Sequence, residues 1–268
     1  MAKLTFGDNS GTPAIFTVQE VPKTKYGATI DSFLEDVDAD GNLKKATWSG
    51  VLDFSSVKHI GEKALRYMFY EHSGITGVNF SLLESVANSG LAYAFYNCSK
   101  INTLDLGSLK TIADYGLQNT FYGCNRLAGD LDLSSLETVG SYGMAYAFCA
   151  HGLQNVDLSS LRTIAERGFN YAFYGHASIT SIDFSSLETI GASAFATAFY
   201  GCSKLTKLSF PALTSVQTSS FGAQMITSCS SLKEIHFRAD MQTAIEACTG
   251  YSSKFGATTS GVTIYFDL

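Results

Sequence analysis

Several features that would assign a protein to a class are missing from this sequence. No stretch of its 268 residues approaches the ~18 consecutive apolar residues that a membrane helix needs, so no membrane insertion is predicted. Basic residues are the minority, with 18 Lys and Arg against 24 Asp and Glu, and the formal net charge of -6 makes nucleic acid an unfavourable partner. The patterns GxSxG, HExxH, CxxC, GxGxxG and the P-loop are also absent, and we predict that the chain is not an enzyme.

A secretory signal is also not visible in this chain. Asp8, Asn9 and Ser10 stand where the apolar core of a signal would lie. We therefore expect a protein that stays inside the cell, has lost a signal, or leaves the cell by a route that needs none. A location in a virion or outside the cell is compatible with the last two routes.

The sequence does contain one short motif that occurs eight times. An apolar-polar-apolar triplet recurs at successive spacings of 26, 26, 27, 25, 26, 26 and 27 residues. Such a fixed period is typical of a solenoid, in which each repeat forms one unit of a stack. The triplets begin at Leu52, Val78, Leu104, Leu131, Val156, Ile182, Leu208 and Ile235.

Each repeat can be read as a strand, a turn and a helix. The alternating triplet predicts a short strand with one buried face. Phe195 and Phe199 lie four residues apart, as do Phe169 and Phe173, and this spacing places both rings on one face of a short helix. Because one repeat cannot bury its own apolar face, stacked repeats should share a continuous core, with a parallel sheet on one side and helices on the other.

The stretch IGASAFATAFYGCSKL, residues 190 to 205, resembles the BspA-like (Treponema pallidum type) leucine-rich repeats, whose shorter unit reads roughly SIGxYAFYGCSSLTSITIP. The likeness covers about residues 50 to 237. It implies an α/β fold, a right-handed leucine-rich-repeat solenoid, and roles in adhesion and surface recognition in bacteria, their phages and some protists. It implies no catalytic residues. This chain inserts about three residues in the helical segment, so a longer helix is expected.

Three segments are predicted on this basis. Residues 1–49 do not fit the repeat and read as a small β-rich segment, which serves either as the cap of the solenoid or as an attachment module. Residues 50–237 are the leucine-rich-repeat solenoid. Residues 238–268 are a C-terminal cap made of a helix and a last strand.

The polar residue of the triplet provides the first candidate site. If the repeats stack in register, neighbouring carboxylates lie about 5 Å apart and repel each other. A strip that binds cations, amines or sugar hydroxyls would explain the arrangement, and so would carboxylates that accept hydrogen bonds from the adjacent turn. The candidate residues are Asp105, Asp132, Asp157 and Asp183.

Tyrosines provide the second candidate site, because they combine apolar area with a polar tip. Exposed in rows they would suit a glycan or a protein partner, whereas half-buried they would seal the helical side. One column consists of Tyr67, Tyr93, Tyr146 and Tyr171. The column that we take as the candidate aromatic strip consists of Tyr70, Tyr96, Tyr122, Tyr174 and Tyr200.

Two further groups carry residue types that bind metals. His72, Cys98, Cys124, His151, His176 and Cys202 share one repeat position, but a line of ligands does not converge on one ion, so we expect reduced, buried thiols. Asp36, Asp38, Asp40 and Asn42 match the first half of a calcium loop, although Thr47 replaces the bidentate Glu. A Gly-Asn hairpin turn explains that stretch equally well.

The prediction for function is a non-enzymatic recognition or adhesion module that needs no cofactor unless the loop binds calcium. The version we favour is a phage or prophage receptor-binding protein that contacts protein or glycan on a bacterial surface and associates, as a trimer, through its N-terminal segment. The alternatives are a bacterial surface adhesin and a structural or decoration protein of a larger assembly.

Overall fold

The repeats form a solenoid in which each repeat is one coil. The computed structural model describes residues 50–149, 152–222, 224–257 and 261–268. The first seven coils each pass through a strand of a first sheet, a two-residue strand of a second sheet and a run of tight turns, whereas the eighth continues from its strand into short helical segments. We number the coils 1 to 8 by the triplet with which they begin. The parallel-sheet solenoid predicted from the period is confirmed.

The first sheet contains all eight triplets and one additional strand. Its strands pair in parallel, but the ladder is interrupted twice, which gives three successive pieces of three strands. The first piece consists of β1 (Gly50–Asp53), β3 (Ile75–Asn79) and β5 (Thr103–Asp105), the second of β7 (Ala128–Asp132), β9 (Gly152–Asp157) and β11 (Ser181–Asp183), and the third of β13 (Lys207–Phe210), β15 (Glu234–Phe237) and β16 (Thr263–Phe266).

The second sheet is a single parallel ladder of seven short strands. Its register advances one repeat per strand, so that Thr163 pairs with Thr138 on one side and with Thr189 on the other. The strands are β2 (His59–Ile60), β4 (Ser85–Val86), β6 (Thr111–Ile112), β8 (Thr138–Val139), β10 (Thr163–Ile164), β12 (Thr189–Ile190) and β14 (Ser215–Val216).

One hydrophobic core runs along the whole solenoid between the three sides. The apolar residues of each triplet point inward, and Leu131 and Leu133 are at most 3% exposed. A row of stacked phenylalanine rings crosses the coils at 5.1 to 6.1 Å per step, so each coil buries its ring against the next one. The row consists of Phe69, Phe95, Phe121, Phe148, Phe173 and Phe199.

The prediction of helices on the third side is wrong, because these segments are runs of tight turns. Around Phe195, alternate amides bond three residues back: Ala196 N–H donates to Ser193 O at 3.1 Å and Ala198 N–H to Phe195 O at 3.0 Å. The amides between them leave the coil, and Phe195 N–H donates to Ser220 O of the next coil at 2.9 Å. An α-helix would instead send every amide four residues back.

The stacking distance explains this difference. Both sheets hold successive coils at the spacing of β-strands, about 4.8 Å, whereas an α-helix with its side chains is about 10 Å wide. Turns that share hydrogen bonds with the next coil fit the narrower spacing. The backbone repeats every four residues, with positive φ at Ser193 and Thr197, and this period keeps both Phe195 and Phe199 on the buried face.

The last strand and a short helix lie at the C-terminal end of the stack. Helix α1 (Gln242–Glu246) places Ile245 in the core, and Phe255 contacts Phe221 with ring centroids 4.9 Å apart. β16 extends the first sheet by pairing with β15. Among the residues that the structure describes, none lies in a helix long and apolar enough to span a membrane.

Candidate functional site

The polar residues of the triplets form one exposed row along the first sheet. Strand pairing places Asp132, Asp157 and Asp183 in direct register. Asp105 belongs to the preceding piece of the sheet, but a Cβ added to Gly107 would lie 3.7 Å from Asp105 Oδ1 and 3.0 Å from Asp132 Oδ2. The two carboxylates therefore lie beside the same turn. We call this row the aspartate column: Asp53, Asn79, Asp105, Asp132, Asp157 and Asp183.

Each member of the aspartate column also stabilises the turn that follows it. Asp183 Oδ1 accepts a hydrogen bond from Ser185 N–H at 2.8 Å, and Asp157 Oδ1 accepts one from Ser159 N–H at 2.9 Å. Asn79 makes the same contact with Ser81 N–H at 3.0 Å. The amide of Asn79 thus does the structural task without a charge, so the turn does not explain why five of the six residues are Asp.

Charges on the neighbouring second sheet are arranged differently, and the sequence reading missed them. In coils 1 to 6 the residue before the short strand is charged and alternates in sign from coil to coil, and Glu84 lies 3.2 Å from Lys58 and 2.9 Å from Lys110. Hydrogen bonds from the two lysines lower the pKa of Glu84. Aligning the repeats at the residue after SSL would have revealed this charge ladder: Lys58, Glu84, Lys110, Glu137, Arg162 and Glu188.

A groove of about 480 Å³ opens on the first sheet beside the aspartate column, where the ladder is interrupted between β11 and β13. Asp157 and Asp183 line it together with hydroxyl groups and the ring of Pro211. The floor is organised by Asn155, whose Oδ1 accepts hydrogen bonds from Thr180 Oγ1 at 2.9 Å and Ser181 Oγ at 2.8 Å. The groove therefore offers carboxylate and hydroxyl oxygens above a fixed polar floor.

The row changes chemistry in the last coils. The register positions that follow Asp183 hold Ser209, His236 and Tyr265. His236 stacks on Tyr265 with ring centroids 4.6 Å apart, and its ring nitrogens lie 2.8 Å from Asp267 and 3.1 Å from Glu234. The run of four carboxylates from Asp105 to Asp183, which has no neighbouring cation among the described residues, thus ends at coil 6.

The tyrosines form ladders on the turn side, with most ring faces covered. Tyr96 lies between Tyr70 and Tyr122 at 4.9 Å from each, with interplanar angles of 0° and 4°. Tyr174 and Tyr200 stack in the same way at 4.9 Å. Partial burial raises the pKa of Tyr96. The structure therefore brings the five predicted residues into one row, but mainly their edges and hydroxyl groups face the solvent.

The column of cysteines and histidines lies beneath the turns, where Cys98, Cys124, His176 and Cys202 are buried and His72 is half-buried. Cys98 Sγ donates a hydrogen bond to Phe69 O at 3.0 Å, and Cys202 Sγ donates one to Phe173 O at 3.3 Å. His176 Nε2 takes the same place against Phe148 O. The six cysteines are free. His151 lies outside the described residues.

Within the described ranges, no three His, Cys, Asp or Glu side chains converge as a metal site would require. The calcium-like loop of Asp36, Asp38, Asp40 and Asn42 lies outside the described residues, as does the whole segment 1–49.

The sequence and the fold can be compared with known proteins. Six copies of the BspA type leucine rich repeat region match this chain, over residues 51–170, 92–197 and 145–255. No curated protein matches it. A leucine rich cell surface protein from Faecalibacterium prausnitzii A2-165 is 14% identical, with 81% of this chain and 78% of that chain covered at a TM-score of 0.33. The pneumococcal vaccine antigen PcpA is 13% identical, with 85% and 91% covered at a TM-score of 0.34.

The match to the repeat region extends over most of the solenoid. The chain belongs to the BspA type leucine rich repeat family.

Proposed function

We propose that this protein is a non-enzymatic recognition module that binds a surface partner through the aspartate column. The observation that carries the proposal is the contrast between two faces of the same coils. On the second sheet the charges alternate and form ion pairs, whereas on the first sheet the four carboxylates from Asp105 to Asp183 follow one another with no cation between them among the described residues. Like charges at strand spacing destabilise a sheet, so selection for stability alone does not explain the aspartate column.

A partner with complementary chemistry would remove this repulsion. Ammonium and guanidinium groups, bound cations and hydroxyl groups of glycans all interact favourably with rows of carboxylate oxygens. The groove beside Asp157 and Asp183 offers such a partner carboxylate and hydroxyl oxygens in one place. A protein or glycan on a cell surface therefore remains the partner class that we propose.

In its more specific form, the proposal is a phage or prophage receptor-binding protein that contacts a bacterial surface. The rigid row of identical side chains, repeated at a fixed spacing, supports binding to a repetitive surface. A bacterial adhesin and a decoration protein of a larger particle are the alternatives. Light scattering of the protein separates the first two, because a fibre tip should be a trimer and a lone adhesin a monomer. A decoration protein is distinguished by its binding, since it should bind its own particle and no cells.

The central experiment is binding of the fluorescently labelled full-length protein to intact gut-type bacterial cells and to mucin, with and without calcium. The test variant combines Asp132→Asn, Asp157→Asn and Asp183→Asn, which removes three charges and keeps the turn contacts that Asn79 shows to be possible. The matched control combines Glu84→Gln, Glu137→Gln and Glu188→Gln, which changes the net charge equally on the other sheet.

We expect saturable binding to particular strains, weakened by about tenfold or more in the aspartate variant and retained in the control. Equal binding by both variants would place the contact elsewhere on the molecule. Failure of the unaltered protein to bind any of these surfaces would contradict the recognition role.

A further inference from the structure

The candidate aromatic strip, which forms the second tyrosine column, lacks a tyrosine in one coil; we call this gap the missing rung. Its members stack in successive coils as Tyr70, Tyr96 and Tyr122 in coils 1 to 3 and as Tyr174 and Tyr200 in coils 5 and 6. In coil 4 the same position holds Cys149, which is 3% exposed. The column is therefore divided into a stack of three rings and a stack of two.

Within the part of the chain that the structure describes, no ring covers the facing sides of Tyr122 and Tyr174. Among the residues that the structure describes, the ring contact of Tyr122 is with Tyr96, and those of Tyr174 are with Tyr171 and Tyr200. No described ring lies between Tyr122 and Tyr174. Tyr174 is accordingly one of the most exposed aromatic residues, at 37%.

Coil 4 itself is in place, so the gap is not a break in the stack. The buried phenylalanine row continues through it, with Phe148 at 5.5 Å from Phe121 and 6.0 Å from Phe173. At the spacing of β-strands, two coil steps separate the facing tyrosine rings by about 10 Å. A group at the centre lies about 5 Å from each ring, inside the ~6 Å limit for a cation over an aromatic face.

The rest of the molecule shows what occupies an open tyrosine face when a partner is within reach. Arg66 Cζ lies 5.1 Å above the ring of Tyr67, which stacks on Tyr93. Arg167 Cζ lies 5.4 Å from the ring of Tyr142, which stacks on Tyr115. Two tyrosine stacks thus have a guanidinium over an end ring, and the facing ends of the divided column have none among the described residues.

We propose that the space between Tyr122 and Tyr174 is a binding slot for an organic cation, a guanidinium or alkylammonium group carried by a partner. The slot lies on the turn side, away from the aspartate column, and does not depend on the function proposed for that column. Its two walls present the electron-rich faces of phenol rings, which attract cations. The net charge of -6 adds attraction at longer range.

The described residue at the floor of the slot, Cys149, is compatible with a cation. Burial raises the pKa of Cys149 to about 12, so its thiol stays neutral at physiological pH. The thiol donates a hydrogen bond to Tyr171 O at 3.1 Å and is held inside the coil. The ring faces therefore provide the selectivity.

The slot can be tested by calorimetric titration of the full-length protein with choline and with N-acetyl-arginine amide. The neutral compound 3,3-dimethylbutan-1-ol has the shape of choline without its charge and serves as the control ligand. We expect at least one of the two cations to bind saturably, with a Kd on the order of 1 mM, and the neutral compound not to bind. Preference for the arginine amide would point to a protein partner, and preference for choline to a surface that carries choline headgroups.

Three variants locate the binding. Cys149→Tyr restores the missing rung, and Tyr174→Leu removes one wall, so each should weaken cation binding about tenfold or more. Tyr115→Leu changes an exposed tyrosine of a different stack and should leave binding unchanged. Circular dichroism confirms that each variant is folded. Equal binding of the neutral compound, unchanged binding by folded Cys149→Tyr, or no binding of either cation would each overturn the proposal.

Discussion

At the scale of single residues, the aspartates of the first sheet combine a structural contact with a charge that the contact does not need. Replacing Asp183 by Asn should leave the free energy of unfolding unchanged or raise it slightly, because the amide oxygen can still accept the hydrogen bond from Ser185 N–H and the repulsion from Asp157 is removed. Replacing it by Ala should destabilise the protein by about 0.5 to 1 kcal/mol, since that bond is lost at an exposed turn. Urea unfolding of the two variants measures the difference, and equal destabilisation by both would show that the charge itself stabilises the fold.

Buried thiols predict how stability depends on alkaline pH. Burial raises the pKa of Cys149 and of Cys229 from 9.0 to about 12. In the unfolded chain these thiols lose their protons near pH 9, whereas in the folded chain they keep them up to about pH 12. Their contribution to stability is therefore fully present below pH 9 and is lost as the pH rises toward 12, at about 1.4 kcal/mol per pH unit for each thiol.

The measurement is urea unfolding at several pH values between 8 and 11. Replacing Cys149 and Cys229 by Ala should make the decline with pH shallower. Raised pKa values of Tyr93, Tyr96 and Tyr146 act in the same direction and leave a residual slope. An identical slope with and without the two thiols would contradict this account.

Single residues also show where reading the sequence reached its limit. The shared position of Cys98, Cys124 and Cys202 was sufficient to predict buried, free thiols. The direction in which tyrosine rings face could not be predicted, because a repeat position fixes a column but not the stacking of its rings. Aligning the repeats shows that Cys149 replaces a tyrosine. That replacement predicts a gap between rings only when the neighbouring tyrosines are known to stack.

At the scale of elements, the run of turns that replaces the expected helix can be tested by the sign of one substitution. Ser193 has a φ of 52°, a left-handed conformation that costs a residue with a side chain about 1 kcal/mol. Ser193→Gly should therefore leave stability unchanged or raise it by up to about 0.5 kcal/mol after the entropy of the unfolded chain is included. In a helix the same change would lower stability by about 0.5 kcal/mol.

The neighbouring Ala192 is the matched control, since its φ is not positive. Ala192→Gly should cost about 0.5 to 1 kcal/mol in either structure. Thermal unfolding of both variants under the same conditions compares them. A clear loss of stability in Ser193→Gly, similar to that in Ala192→Gly, would favour the helix.

The strands could be predicted from the sequence and the helices could not, for a physical reason. A strand is specified by local alternation, and the triplets contain it. The spacing of Phe195 and Phe199 is compatible with any backbone that repeats about every four residues. The choice between helix and turns depends on how closely the next coil approaches, which is a property of the stack and not of the segment.

The charge ladder of the second sheet should contribute to stability through its ion pairs. Glu84 is held between two lysines, and Glu84→Lys would place three cations in succession. We expect a lower urea midpoint at low salt, and a difference from the unaltered protein that shrinks as salt screens the charges. Glu62→Lys makes the same charge change at a carboxylate whose cation is its sequence neighbour Lys63, and it should change the midpoint less. A loss of stability that is independent of salt would exclude the electrostatic explanation.

At the scale of the whole molecule, three sides of the same coils carry three kinds of surface. The second sheet has paired charges, the first sheet has a run of four carboxylates from Asp105 to Asp183 with no cation beside them among the described residues, and the turn side has stacked tyrosines. Only the row of carboxylates on the first sheet opposes the stability of the stack. A solenoid tolerates this cost because the core runs continuously behind all three sides and stabilises each coil through its neighbours.

Because each coil is stabilised by its neighbours, the effect of a core substitution depends on its position in the stack. Phe148 is fully buried and lies in the middle of the phenylalanine row. Phe148→Ala should destabilise the protein by about 3 to 5 kcal/mol and also weaken the contact between the coils before and after it. We expect unfolding to separate into two transitions, with hydrogen exchange showing that coils 1 to 3 lose protection independently of coils 5 to 8.

Phe255→Ala is the matched lesion at the C-terminal end, where a fully buried ring contacts Phe221. It removes the same side chain without separating two blocks of coils, so it should lower the urea midpoint and preserve one transition. Hydrogen exchange followed by mass spectrometry, together with urea unfolding monitored by circular dichroism and by tyrosine fluorescence, distinguishes the two outcomes. Coincident single transitions in Phe148→Ala would mean that cooperativity extends over the whole stack and is not passed from coil to coil.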